Sequence, residues 1–131
     1  MSTSEKETER IKILIAEDMD IYITIYKSFL EDLYDLSFAK NGIDAVELFR
    51  KEKPDIVFMD ILMPEENGIE AIQKIRMSDQ NIPVIAVTVL DNKQEKNSIM
   101  EHGFADYLVK PLKRNALIEA VEKYCRKKIF I

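Results

Sequence analysis

Residues 11–18 read IKILIAED, a short apolar run that ends in two acids, Glu17 and Asp18. Two further runs rich in Ile and Val follow at residues 56–59 (IVFM) and 83–89 (PVIAVTV). Short runs of this kind are typical of strands that are buried on both faces of a parallel sheet. The three runs therefore predict the centre of an open α/β sheet.

Weaker runs at residues 35–39 and 106–109 predict two flanking strands. The segments between the runs are long enough for the helices that connect parallel strands. Apolar residues recur there at helical spacing, namely Ala45, Val46, Leu48 and Phe49, then Ile69, Ile72 and Ile75, then Leu117, Ile118 and Val121. The resulting order, a strand and then a helix repeated five times, predicts a doubly wound sheet with helices on both faces.

The segment 21–33 fits two interpretations. Alternation of Ile21, Ile23 and Ile25 would suit a strand. The set Ile21, Ile25, Phe29 and Leu33 would instead form one helical face. Length and the need to connect two parallel strands favour the helix.

Composition excludes several classes of protein. The chain has 131 residues, 47% of them apolar and 33% charged, which predicts one globular domain. A net charge of −5 argues against direct nucleic-acid binding, and no apolar run is long enough for membrane insertion. With one cysteine and a polar start, the expected location is cytoplasmic. We expect a flexible segment at 1–10, the domain at 11–128 and a tail at 129–131.

Chemistry-bearing residues lie at the ends of the predicted strands. Glu17 and Asp18 end the first strand, Asp60 the third, Thr88 the fourth and Lys110 the fifth. In an open parallel sheet these ends meet at one edge, where ligands bind. Clustered carboxylates need a counter-charge, and Mg²⁺ prefers their oxygens. A carboxylate nucleophile beside Mg²⁺, an ammonium and a hydroxyl predicts a phosphoryl-transfer site in which Asp60 becomes an aspartyl phosphate.

The chain resembles the receiver domain of two-component response regulators, which is shared with the chemotaxis response regulator and hybrid sensor kinases. The resemblance covers about residues 11–126. It rests on Glu17-Asp18, on Asp60 within MDILMPEENG, on Thr88 and on YLVKP at 107–111. It implies the flavodoxin-like strand order 2-1-3-4-5.

The resemblance also implies a set of ligands. Asp60 would take the phosphoryl group and share a Mg²⁺ ion, for which Mn²⁺ can substitute, with Asp18. Glu17 would act on the ion through a water molecule, and Leu62 through its backbone carbonyl. Lys110 would bind the phosphoryl group.

The resemblance further implies a conformational switch and a cis peptide bond. Thr88 would bind the phosphoryl group and, with Tyr107, form the conformational switch, although Tyr107 also suits a plain core or edge aromatic. The Lys110–Pro111 peptide bond is expected to be cis.

Two positions depart from the family's commonest pattern. Val89 stands where a small residue is usual, so we expect it to narrow the phosphoryl pocket and crowd Thr88. Leu62 and Leu90 stand where fast-hydrolysing members carry polar groups. Since apolar side chains cannot orient an attacking water, they predict slow autodephosphorylation.

The implied partners are a histidine kinase or a histidine phosphotransfer protein. The implied output is a surface change on the fourth helix, fifth strand and fifth helix, about residues 91–102, 106–109 and 113–128, which could support a phosphorylation-dependent homodimer. The chain would be a signalling domain with only self-catalysed phosphoryl transfer, either alone or as part of a hybrid kinase or larger regulator.

Three other functions remain as alternatives. One is a receiver-like interaction module that takes little or no phosphate. Another is an aspartyl-phosphate hydrolase, for which Asp18 and Asp20 have the required spacing but Asp60 would be unexplained. The third, a flavodoxin-like carrier, lacks a Ser/Thr/Gly-rich phosphate loop after the first strand.

Overall fold

The computed structural model describes residues 10–63, 65–89 and 91–126. In these residues, strands and helices alternate along the chain. The elements are β1 (Lys12–Ala16), α1 (Asp20–Leu30), β2 (Asp35–Ala39), α2 (Gly42–Glu52), β3 (Ile56–Asp60), α3 (Gly68–Ser78), β4 (Val84–Thr88), α4 (Lys93–Met100), β5 (Asp106–Val109) and α5 (Arg114–Tyr124). None of the described helices is both long enough and apolar enough to cross a membrane.

The strands form one parallel sheet in the order β2-β1-β3-β4-β5. This confirms the predicted fold class and strand order. All five residues of β3 and of β4 are buried, as expected for strands that are covered on both faces. The carboxyl ends of the strands therefore meet at one edge of a rigid sheet.

Two apolar cores lie on opposite faces of the sheet. On one face Leu14, Val57 and Met59 contribute to a core that also contains residues of α2, α3 and α4. On the other face Ile15 and Phe58 belong to a core with residues of α1 and α5. The alternation of neighbouring strand residues between the two cores results from the pleat of the strand.

Helix α1 differs from the sequence prediction in its length and its buried face. It ends at Leu30, and it buries Ile23, Tyr26 and Leu30. Ile21, which the helical spacing groups with Leu33 on one face, is 61% exposed, and Leu33 is 42% exposed. Apolar residues occupy several sides of this helix, so their spacing alone could not select the side that faces the sheet.

Asparagine side chains begin three of the helices that follow strands. Asn41, Asn67 and Asn92 each accept a hydrogen bond from the backbone N–H three residues later. Asn67 forms a full capping box with Glu70. These caps fix the starts of α2, α3 and α4, and so the path of the loops at the carboxyl edge.

Some sequence predictions lie outside the described residues. They concern residues 1–9 of the expected flexible segment, Leu90, residues 127–128 of the predicted domain and the expected tail at 129–131.

A close backbone contact joins the loop after β3 to the start of α2. The N–H of Gly42 donates to the backbone oxygen of Glu66 at 2.7 Å. A Cβ atom on Gly42 would overlap that oxygen, so only glycine fits here. The Glu66 side chain is also buried, and its Oε1 forms an ion pair with Nζ of Lys74.

We predict that Gly42→Ala destabilises the protein by about 2 kcal/mol, because the new methyl group displaces the loop after β3. Helix propensity alone predicts the opposite sign, since alanine favours helices over glycine. Urea denaturation measures the difference, with Ile43→Ala on the next, exposed position as the control. An alanine variant as stable as the wild type would contradict the role given to this contact.

Candidate functional site

Three acids meet at the carboxyl edge of the sheet. Glu17 and Asp18 directly follow β1, and Asp60 is the last residue of β3. One carboxylate oxygen from each lies within 4.8 Å of the other two. Glu17 and Asp60 are buried and Asp18 is half-buried, so the cluster opens to solvent on the side of Asp18.

Lys110 supplies the positive charge of the cluster. Its Nζ donates to Oε1 of Glu17 at 2.8 Å and to Oδ2 of Asp60 at 3.2 Å. Only 6% of its side chain is exposed. The Lys110–Pro111 peptide bond is cis, and the N–H of Lys110 donates to the backbone oxygen of Thr88 at 2.8 Å.

Burial and the hydrogen-bond partners of each group have opposite effects on the pKa values of Glu17 and Lys110. Burial raises the pKa of Glu17 more than the hydrogen bonds from Lys110 and from the N–H of Met19 lower it. For Lys110 burial alone would lower the pKa, but Glu17 and Asp60 outweigh it, so its pKa lies above the ordinary value. One ammonium thus faces three carboxyl groups, and the nearby charge of Asp60 adds to burial in raising the pKa of Glu17.

The donor set fits a divalent cation with a preference for oxygen. Mg²⁺ is commonly held by one or two carboxylates together with water. Oδ1 of Asp60 accepts a hydrogen bond from the N–H of Leu62 at 3.1 Å, while Oδ2 faces Lys110. Asp18 and Asp60 could bind the ion directly, and Leu62, whose backbone N–H contacts Asp60, is 60% exposed.

Thr88 and Tyr107 lie on the same face of the sheet. Thr88 ends β4, and Tyr107 pairs in register with Ala86 of that strand. Because side chains alternate, Ala86 and Thr88 point to one side, which is also the side of the Tyr107 ring. Tyr107 is 8% exposed, and Nζ of Lys96 lies 5.6 Å from the centroid of its ring.

Val89 comes directly after Thr88 at the same edge and is 60% exposed. Its branched side chain thus lies at the surface next to the strand end. The expected effect on access to the pocket remains a prediction.

Two aromatic residues near the site were not identified from the sequence. The Nζ of Lys110 lies over the ring of Tyr22, 3.7 Å from its centroid. Tyr26, one turn further along α1, is buried, and burial together with the charges of Glu17 and Asp60 raises its pKa well above the usual value. Their spacing of four residues just after Glu17-Asp18 was the available signal.

A family model described as the response regulator receiver domain matches residues 13–122. The chain belongs to this family. It is a receiver domain of two-component signalling, as its relatives also indicate.

Relatives differ in how much of their length this receiver domain covers. A probable C4-dicarboxylate response regulator, DctR of Bacillus subtilis, is 31% identical over 86% of this chain and 51% of its own. The chain thus spans about half the length of that relative. The chemotaxis protein CheY of Listeria monocytogenes is 33% identical over 86% of this chain and 97% of its own.

A solved structure with the same fold is the receiver domain of the sensor histidine kinase PA1611 of Pseudomonas aeruginosa. It has a TM-score of 0.81 and 28% identity, covering 88% of this chain and 97% of that one. A magnesium ion is coordinated in the active-site cleft of that protein.

We predict that Asp18→Asn raises the free energy of unfolding without Mg²⁺ by about 1 kcal/mol, because one repelling charge is removed. We expect the same change to lower Mg²⁺ affinity about tenfold or more, because it replaces a carboxylate that could bind the ion by a neutral amide. Denaturation with and without Mg²⁺ and titration calorimetry measure the two effects. The matched control is Asp20→Asn, an exposed acid paired with Lys40 at 2.6 Å, which should leave Mg²⁺ affinity unchanged. Equal Mg²⁺ affinities in both variants would contradict the assignment.

Proposed function

We propose that Asp60 accepts a phosphoryl group from a phosphohistidine in a Mg²⁺-dependent reaction. The donor is a histidine kinase or a histidine phosphotransfer protein. The observation that carries this proposal is Lys110, whose buried ammonium joins Asp60 to Glu17 within the acidic cluster. An ammonium in this place can contact the Asp60 carboxylate before the transfer and a phosphoryl oxygen after it.

The transfer requires little chemistry from the protein. An Asp60 carboxylate oxygen attacks phosphorus, a P–O bond forms, and the P–N bond breaks with its electron pair leaving on the donor imidazole. Asp18, Asp60, the Leu62 carbonyl and, through water, Glu17 would hold Mg²⁺, which neutralises charge on the phosphoryl oxygens. The protein contributes a fixed nucleophile on a buried strand end.

Two side chains of the protein bind the transferred group. Lys110 exchanges its contact with Oδ2 of Asp60 for one with a phosphoryl oxygen, and the Thr88 hydroxyl donates to another. Both donors come from the ends of strands that neighbour each other in the sheet. Small movements of the two strand ends are therefore enough to complete the site.

The output is a change on the surface formed by α4, β5 and α5. Thr88 and the Tyr107 ring share one face of the sheet, so movement of Thr88 towards the phosphoryl group changes the space beside the ring. Helix α4 contributes only one buried residue, Ile99, to the core. A helix so weakly anchored can shift at low cost, and a second copy of the chain could dock on it.

We predict that beryllium fluoride, which mimics the phosphoryl group, causes Mg²⁺-dependent NMR shifts at the site and at Tyr107. Asp60→Asn removes these shifts because the acceptor oxygen is lost. Asp55→Asn, which carries the same change at the opposite end of β3, is the control and retains them. If neither the wild type nor the control responds, the chain is a receiver-shaped interaction module.

We also predict that the aspartyl phosphate is long-lived and that Leu62→Asn shortens its lifetime several-fold. An exposed amide beside Asp60 can orient the attacking water, which leucine cannot. Decay of the ³²P-labelled protein measures the lifetime. Leu33→Asn, a similar change on an exposed leucine in the α1–β2 loop, should not alter it. A wild-type half-life of seconds would contradict this prediction.

A further inference from the structure

The ammonium of Lys110 has a third partner besides the two carboxylates. Its Nζ lies over the face of Tyr22, 3.7 Å from the ring centroid. This is well within the range at which a cation is attracted to an aromatic face. The attraction is stronger where water is excluded, and only 6% of the Lys110 side chain is exposed.

Two of the three partners accept hydrogen bonds from the ammonium, and the third is an aromatic face. A lysine carries three N–H groups, and Glu17 and Asp60 accept two of them. Tyr22 covers the ammonium with a surface that has no strong hydrogen-bond acceptor. It can therefore hold the cation without fixing a further hydrogen bond.

Helix α1 explains why Tyr22 reaches this place. Tyr26 lies on the buried face of the helix, and Tyr22 lies one turn nearer the N-terminus on the same side. The first turn of α1 comes after β1 at the carboxyl edge of the sheet, beside Glu17 and Asp18. Tyr22 is half-buried there, and its ring covers one side of the Lys110 ammonium.

We propose that Tyr22 is a positioning residue, whose ring holds the Lys110 ammonium where it can contact an oxygen of the phosphoryl group on Asp60. This inference rests on the function proposed above. Before transfer the ring restricts the ammonium to the space between Glu17 and Asp60. During transfer Lys110 leaves Asp60 for a phosphoryl oxygen and keeps its contact with the ring, so its side chain is already ordered when charge develops.

The first experiment measures the contact itself and needs no phosphorylation. NMR of the Lys110 ε-methylene protons should show an upfield ring-current shift relative to the other lysines. Tyr22→Phe retains the ring and the shift, whereas Tyr22→Leu removes it. A Lys110 signal that is the same in the wild type and in Tyr22→Leu would overturn the contact.

The second experiment measures phosphorylation by acetyl phosphate, a small donor that needs no protein docking. We expect Tyr22→Leu to lower the rate at subsaturating donor about fivefold, which corresponds to about 1 kcal/mol. Tyr22→Phe should restore it to within about twofold, because the aromatic face is what the cation contacts. Thr24→Leu, an exposed position on the same helix, should have no effect.

A merely structural role for Tyr22 would give a different pattern. Tyr22 offers no ligand to the metal, so Tyr22→Leu should leave Mg²⁺ affinity unchanged. In a Lys110→Met background, replacing Tyr22 by Leu should cause no further loss of rate. A parallel fall in Mg²⁺ affinity, or an undiminished effect without Lys110, would overturn the inference.

The failure of this inference and that of the proposed function are distinguishable. If the wild type takes phosphate on Asp60 but Tyr22→Leu and Tyr22→Phe react equally fast, only the role of Tyr22 is wrong. If the wild type takes no phosphate at all, the proposed function is wrong, and the positioning role is overturned with it.

Discussion

The site depends on the contact of the buried Lys110 ammonium with the carboxylates of Glu17 and Asp60. Glu17 and Asp60 lose most of their contact with water, and their charges would repel each other without a cation between them. Lys110 provides that cation from the opposite end of the chain, 93 residues away from Glu17. It does not balance the whole cluster, because Asp18 adds a third carboxyl group. Repulsion among the remaining carboxyl groups lowers the stability of the fold when no cation is bound. A bound cation relieves this repulsion, so the same charges that cost stability favour cation binding.

The parallel sheet is what makes such distant residues neighbours. Each strand ends at the same edge, so residues from four strands converge although the chain between them forms whole helices. Asp60 and Thr88 end the two strands that are buried along their entire length. Packed strands move little, whereas the loops beyond them carry exposed side chains such as Leu62 and Val89. The proposed nucleophile, Asp60, is thus held by a packed strand, whereas the loops beside it carry exposed side chains.

The sequence predicted the strands and the acidic cluster well, since both depend on local pattern and on one topological rule. Runs of Ile and Val identify buried strands, and the rule places the residues at their carboxyl ends along one edge. Local pattern failed for the buried face of α1, because the helical spacing grouped Ile21 with Leu33, whereas the helix buries the side that contains Ile23. It also missed Tyr22 and the contact between Gly42 and Glu66. The spacing of Tyr22 and Tyr26 places both rings on one side of α1, but the contact of Tyr22 with Lys110 and that of Gly42 with Glu66 depend on where a helix start and a loop lie in space.

The position of Lys110 links the proposed chemistry to the proposed output. Its side chain contacts the acids, while its backbone N–H is bonded to the backbone oxygen of Thr88. In the proposed reaction the lysine moves from Asp60 to the phosphoryl group, and the Thr88 hydroxyl moves towards the same group. A hydrogen bond joins the backbones of the two residues, and we infer that it couples the two proposed movements. Tyr107 lies on β5, three residues before Lys110, so its ring belongs to the strand that leads directly into the lysine.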